Sequence, residues 1–297
     1  MAYGPGGASA MAGQGEDVFN LNMLKGKVVD KFRVHPTAVS SLALSSDGQS
    51  ALTSDEHGNI MYWNLDKRKP RAALVEHGAG VAVMAFSPDC AFAASGDVKG
   101  TTILWRLEKR KERLLVNSDW SEKVTALAFS LDSSLLIAAG ERGRVQVWEV
   151  DSGSMVKRFS VGEVKAIQDV RFFNNATACV AAIPSDCAGA CFPRVYKLDI
   201  NTGKHYDAFR PASKATTIPH CVLLDLTCRN LLIAGRVEES SFDDDYRLDV
   251  WKLAGAEPLH RFSELKGKAT CMAVSGDSRI AVAVKPRPLQ VFTMPAE

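Results

Sequence analysis

No apolar run in this 297-residue chain approaches the roughly 18–20 residues that a bilayer-spanning helix needs, so no membrane span is expected. The short signatures of familiar catalytic machinery are missing too. There is no His-Glu-x-x-His, no phosphate-binding Gly-x4-Gly-Lys, no Gly-x-Ser-x-Gly, and no Gly-x-Gly-x-x-Gly between a strand and a helix. An enzymatic role is therefore not expected, and neither a cofactor nor a metal is implied. Net charge is small: 36 Lys and Arg against 34 Asp and Glu leave +2, no general attraction to nucleic acid or membrane. The opening MAYGPGGASAMAGQGEDV has no Arg and no basic end before an apolar stretch, which argues against a secretory or mitochondrial leader. Nor is there a disulfide framework. The seven cysteines are odd in number and scattered, with Cys179, Cys221, Cys228 and Cys271 in or beside apolar runs. That suits reduced thiols and a cytoplasmic protein, with the nucleus as the alternative.

What the chain does have is repetition. Between Val124 and Val150 stand three short apolar runs, Val124–Phe129, Leu135–Ala139 and Val145–Val150, each too short for a helix. Ser130, Asp132, Ser133 and Ser134 separate the first two, and Gly140 and Gly143 the last two, so they read as strands joined by tight hairpins. Trp148 follows Trp105 by 43 residues and Trp105 follows Trp63 by 42. Tyr196, Trp251 and Phe292 continue the series at spacings of 48, 55 and 41, so two units carry insertions. A period of about 40–45 residues suits four strands per unit of a repeat architecture.

The wording VMAFSPD, AASGD, TTILW between Val83 and Trp105 resembles the WD-repeat β-propellers, and the likeness runs from about Val18 to Met294. It implies an all-β fold of four-stranded blades around a central channel, used as a platform for other proteins. The expected domain is residues 18–297, after a disordered Gly/Ala-rich tail at 1–17. Its units lie near 35–76, 77–119, 120–163, 164–212, 213–264 and 265–294, the last completed by residues 28–32 from the N-terminal end. Six blades are preferred, with a partial seventh using the Phe19 strand as the alternative. The resemblance also implies a buried His at each blade entrance bonded to an Asp in the strand 2–3 turn. His35 and His77 match the His position, four residues before a Val, and Trp120 takes that slot in the third unit. The Asp position, six before the Trp, holds His57, Lys99 and Arg142, so the network is absent or rewired through Asp55 and Asp97. A structural role is the simpler reading of both histidines.

Candidate binding residues fall in the irregular segments. KRKPR (Lys67, Arg68, Lys69, Arg71) and KRKER (Lys109, Arg110, Lys111, Arg113) each begin four residues after a Trp, in strand 3–4 turns of neighbouring units. Solvated hairpin tips are the bland reading. The functional one is a salt-sensitive patch for an acidic partner, and the absence of interleaved aromatics weakens base recognition. The acidic insertion RVEESSFDDDYR carries Glu238, Glu239, Phe242, Asp243, Asp244 and Asp245, and suits either a solvated loop or a dock for a basic peptide. No glycine lies inside it to shape a calcium loop. In IPSDCAGACFPR, Cys187 and Cys191 have C-x3-C spacing without a second ligand pair for zinc, so ordinary loop cysteines are the default and a redox pair the alternative. On the family's layout the strand 2–3 rim would present His57, Lys99, Arg142, Phe242 and Lys285.

The expected function is a non-catalytic scaffold or adaptor, a monomeric subunit of a larger protein complex. The alternative is an RNA-, ribosome- or membrane-associated factor that holds anionic partners through the basic turns.

Overall fold

The computed structural model describes residues 2–4, 7–25, 27–33, 35–108, 112–116, 120–187, 190–209, 217–238, 245–255, 258–285 and 289–294. It forms two compact units, Met1–Glu141 with Val145–Arg158, and Arg142–Arg144 with Phe159–Glu297.

In the first unit, the opening sheet is β1 (Ala2–Tyr3), β2 (Ser9–Gln14), β3 (Asp17–Asn22) and β4 (Lys27–Arg33). The second is β5 (Val39–Leu44), β6 (Ser50–Asp55), β7 (Asn59–Asn64) and β8 (Lys69–Val75). The third is β9 (Val81–Phe86), β10 (Phe92–Asp97), β11 (Thr102–Arg106) and β12 (Glu112–Val116). The fourth is β13 (Val124–Phe129), β14 (Leu135–Gly140), β15 (Arg144–Glu149) and β16 (Met155–Ser160). Every residue of β6 and β10 is buried, so these strands are packed on both faces. That explains their small residues, Ala-Leu-Thr-Ser-Asp and Ala-Ala-Ser-Gly-Asp, where a half-buried strand would alternate apolar with polar.

In the second unit, the fifth sheet is β17 (Val164–Asn174), β18 (Thr177–Pro184), β19 (Arg194–Asp199) and β20 (His205–Asp207). The sixth is β21 (Thr217–Leu224), β22 (Asn230–Val237), β23 (Tyr246–Lys252) and β24 (Pro258–Leu265). The seventh has three described strands, β25 (Lys268–Val274), β26 (Arg279–Lys285) and β27 (Gln290–Thr293).

Seven blades thus stand where six were preferred. The expected tail is the source of the difference: β2 pairs along its whole length with β3, and Ala10 and Met11 are buried. Its Ala and Gly content serves close packing rather than disorder. Residues 28–32, expected to complete the last sheet, instead pair with β3 of the first, with Val18 opposite Phe32.

Three local devices recur, and they define equivalent positions better than the aromatics do. In the first strand of six sheets a residue near its start is left out of the pairing: Ser40, Ala82, Thr125, Lys165, His220 and Thr270, with Gln168 and Phe173 skipped further along β17. Such bulges sharpen the local twist of a strand. Strands 1 and 2 are joined by turns in which a Ser hydroxyl bonds an Asp two residues on, at Ser45–Asp47, Ser87–Asp89 and Ser130–Asp132. The residue immediately after each Asp takes positive φ, at Gly48, Cys90 and Ser133. Finally, the residue two beyond each Trp position donates its N–H to the carbonyl just before strand 2, as Leu65 does to Gln49 and Leu107 to Ala91. By this rule Ile200 bonds Ala176 and Met23 bonds Ala8. The equivalents of Trp63 are therefore Leu198 and Leu21, not Tyr196 and Phe19.

Candidate functional site

In the second sheet His35 Nε2 lies 2.9 Å from the Thr53 hydroxyl, to which Trp63 Nε1 donates at 3.0 Å. His35 Nδ1 faces Asp55 at 3.5 Å. The third sheet repeats this more tightly: Trp105 Nε1 donates to Ser95 Oγ at 2.8 Å, Ser95 meets His77 Nε2 at 2.6 Å, and His77 Nδ1 is 3.1 Å from Asp97. A hydroxyl that accepts from the indole has its proton free for Nε2, so Nδ1–H is left to donate to the carboxylate. The carboxylates also hold the strand 2–3 turns, Asp55 through the N–H groups of His57 and Asn59, Asp97 through those of Lys99 and Thr101. The network is present and runs through Asp55 and Asp97. Burial holds both histidines below their ordinary pKa, with the carboxylates opposing it. Burial also pushes the Asp55 carboxyl up, but hydrogen bonds from Asn59 and His57 outweigh it and hold it low.

His57 and Lys99 themselves are exposed turn residues, and His57 Nδ1 meets the Thr37 hydroxyl at 3.2 Å. Their turns are followed by Gly58 and Gly100, at φ 92° and 95°. A Cβ there would come within 2.6 and 2.4 Å of carbonyl oxygens in the chain entering the next sheet, so only glycine fits. In the second unit, Arg142 and Lys285 are exposed as well.

The basic turn after β7 opens a cleft. Lys67 N–H donates to Asn64 Oδ1 at 2.6 Å and Arg68 N–H to the Leu65 carbonyl at 3.3 Å, which closes the turn before Lys69 enters β8. Along β8, Pro70 pairs with Trp63 and Ala72 with Tyr62, so Arg71 is an extra residue between them. The bulge turns its guanidinium onto Tyr62: Nη1 donates to the phenol oxygen at 2.8 Å, and the charge sits 5.2 Å from the ring centre. Lys67, Lys69 and Arg71, with Tyr62, Leu107 and Glu108, line a cleft of about 540 Å³. Three cations there face one acid. Arg68 turns away and bonds Asp30 on β4 at 3.2 Å. Of the second basic turn, Lys109, Arg110 and Lys111 lie outside the described residues, and Arg113 pairs through its backbone with Trp105.

In the second unit Cys187 and Cys191 form a disulfide, where reduced thiols were expected. The loop between Pro184 and Arg194 reverses the chain and brings their Cα atoms to 5.8 Å, within bridging range. Cys90, Cys179, Cys221, Cys228 and Cys271 are free. The same loop packs Phe192 edge-on against Trp251, with centroids 4.9 Å apart, and Ala190 N–H donates to Glu238 at 2.9 Å. Glu238, expected to face a basic peptide, is thus engaged by its own chain. Asp245 accepts the Val237 N–H through its carbonyl, while Glu239, Phe242, Asp243 and Asp244 lie outside the described residues. A network missed in the sequence links Arg247 to Thr217 at 2.8 Å and to Asp249 at 3.0 Å. Its one legible signal was the i, i+2 spacing of Arg247 and Asp249, which places both on one face of β23. Among the described residues no group of three or more His, Cys, Asp or Glu could hold a metal, and no helix is long and apolar enough to cross a membrane.

The fold defines a class, and comparison with known proteins agrees with it. Residues 26–64 match the model of the WD domain, G-beta repeat, and residues 84–178 match the model of the anaphase-promoting complex subunit 4 WD40 domain. The β-propeller domain of Myceliophteria thermophila Cps50 (Swd1) superposes with a TM-score of 0.81 at 13% identity, over 99% of this chain and 96% of that one. Kuenenia stuttgartiensis hydrazine synthase gives 0.80, also at 13% identity, over 100% and 95%. No curated protein sequence matches the chain. The two model matches support the WD-repeat β-propeller family, and the superpositions show the fold. Proteins of this family generally act as protein-interaction scaffolds and are typically non-catalytic.

Proposed function

We propose that this protein is a non-catalytic interaction module, a subunit of a larger assembly, and that it docks an acidic segment of a partner protein in the cleft beside the Lys67–Arg71 turn. The carrying observation is the charge of that cleft: Lys67, Lys69 and Arg71 against Glu108 alone, in a chain that is otherwise nearly neutral. A concave site concentrates its field, and opposed potentials steer a partner and set its register. The lysines are exposed, so the contact is screened by salt over about 8–10 Å.

The test is capture of partners from native extract by wild type and by Lys67→Glu/Lys69→Glu, at low and at high salt. Both side chains are exposed, so the substitutions should leave folding intact. Loss of acidic partners from the variant, and from wild type at high salt, is expected. Identical partner sets would overturn the assignment, and recovery of RNA with a steep salt dependence would reassign the cleft to phosphate backbone.

A further inference from the structure

A second cleft, of about 450 Å³, adjoins the cationic one, and its chemistry is different. Asn64 lines both. Within the intervening turn alternate residues face alternate clefts: Asp66 and Arg68 line this one, Lys67 and Lys69 the other. Its lining is mixed: Val29, Phe32, Trp63 and Leu65 form an apolar strip among Asn20, Asp30, Lys31, Asn64, Asp66 and Arg68. Phe32 and Trp63 lean together with centroids 5.6 Å apart.

Val29 is presented by a bulge. Val28 pairs with Leu21 and Asp30 with Asn20, so Val29 is left out of the register and re-aimed, as Arg71 is on β8. It remains 52% exposed, beside Val28 at 57%. The charges around the cleft are mostly satisfied: Asp30 pairs with Arg68 at 3.2 Å and Lys31 with Asp17 at 2.9 Å. Beside these paired charges the cleft offers an apolar strip, Val29 with Phe32, Trp63 and Leu65, next to a cleft that calls for acids.

We propose that this second cleft takes an aliphatic or aromatic side chain from the same acidic segment, so that the recognised motif is bipartite, one apolar residue beside a run of acids. The proposal rests on the reading of the cationic cleft given above. Contiguity through Asn64 lets one extended strand of a partner place the two kinds of side chain a few residues apart. Acids in the Lys67, Lys69 and Arg71 cleft supply steering and register; the apolar residue adds affinity, because burying it removes hydrocarbon from water on both partners.

Fluorescence anisotropy with labelled peptides separates the two layers of the argument. One probe carries an acidic run alone, Glu-Glu-Asp-Glu-Glu between Gly-Ser ends. The others add a Leu or a Trp at successive positions on either side of that run. Wild type should bind the acid-only peptide weakly, and at least one apolar placement should tighten binding about tenfold. Val29→Gln, at a half-exposed position the fold tolerates, should lose most of that gain and keep the acid-only affinity. Lys67→Glu/Lys69→Glu should lose both. If the acid-only peptide fails to bind wild type, the cationic cleft is wrong and this inference falls with it. If it binds but no apolar placement gains more than twofold, or Val29→Gln keeps the gain, the bipartite motif alone is overturned. A dimer seen by sedimentation that Val29→Gln abolishes would assign the apolar cleft to a second copy, and would also overturn it.

Discussion

Where the second and third sheets bury a histidine, a hydroxyl and a carboxylate around Trp63 and Trp105, the fourth buries Trp120 against Gly140 and has Ala138 at the hydroxyl's place. Asp55, Asp97 and Gly140 each stand eight residues before their Trp, and Thr53, Ser95 and Ala138 ten before. Trp120 fills the histidine's slot so closely that a Cβ on Gly140 would come within 3.2 Å of its ring. The three changes belong together. A half-built polar network leaves a buried carboxylate unpaired, which is worse than either complete solution. The sheet therefore needs the space filled and its polar atoms satisfied, and it is indifferent to which chemistry does so.

The largest effect should come from emptying the apolar version. Trp120→Ala removes a buried indole from the core shared with Phe92, Leu104 and Trp148, and should cost about 3–5 kcal/mol of unfolding free energy in denaturant titrations. The polar version should be nearly as sensitive. His77→Ala takes one buried hydrogen-bond partner from each of Asp97 and Ser95 and leaves a cavity, for an expected loss of about 2–4 kcal/mol. Transplanting the fourth sheet's solution, His77→Trp with Ser95→Ala and Asp97→Gly, should recover more than half of that loss. A triple variant no more stable than the single one would break the equivalence of the two arrangements.

The smallest effect is the dependence on pH. Burial depresses the pKa of His35 and His77 in the folded state, so below about 6.5 the unfolded chain binds protons first. Stability contributed by neutral histidine is then complete above that pH, and declines as pH falls toward the folded values. Thermal midpoints between about pH 7.5 and 5.5 should fall in wild type, and fall less steeply in His77→Gln. The fourth sheet, with Trp120 in the same slot, has no such group to contribute.

Much of this arrangement was readable in one dimension. The Ser-x-Asp turns, the glycines after strand 2 and the Trp spacing all announce short strands in four-stranded units, because each is a local requirement of a turn or strand end. Of the first blade only the Phe19 strand and residues 28–32 were readable, since Ala10, Met11 and Ala12 look like low-complexity chain until β3 lies beside them. Tyr196 and Phe19 misled for a related reason: an aromatic two residues off register resembles its neighbour in sequence, whereas the N–H of Ile200 or Met23 identifies the true position only through its carbonyl partner. Of the binding residues, the Lys67–Arg71 run was visible as charge, but nothing in the sequence linked it to Val29, Phe32 and Trp63.

The sequence by itself determined the strand and turn period, the resemblance to WD-repeat propellers, and the places where charge accumulates, because these follow from side-chain chemistry over a few neighbouring residues. Only the tertiary structure decided which sheet claims β4, which carboxylate answers His35 and His77, and toward which cleft Val29 and Arg71 point. Those outcomes depend on pairing register between strands, and a bulge of a single residue redirects a side chain without leaving a mark in composition or spacing.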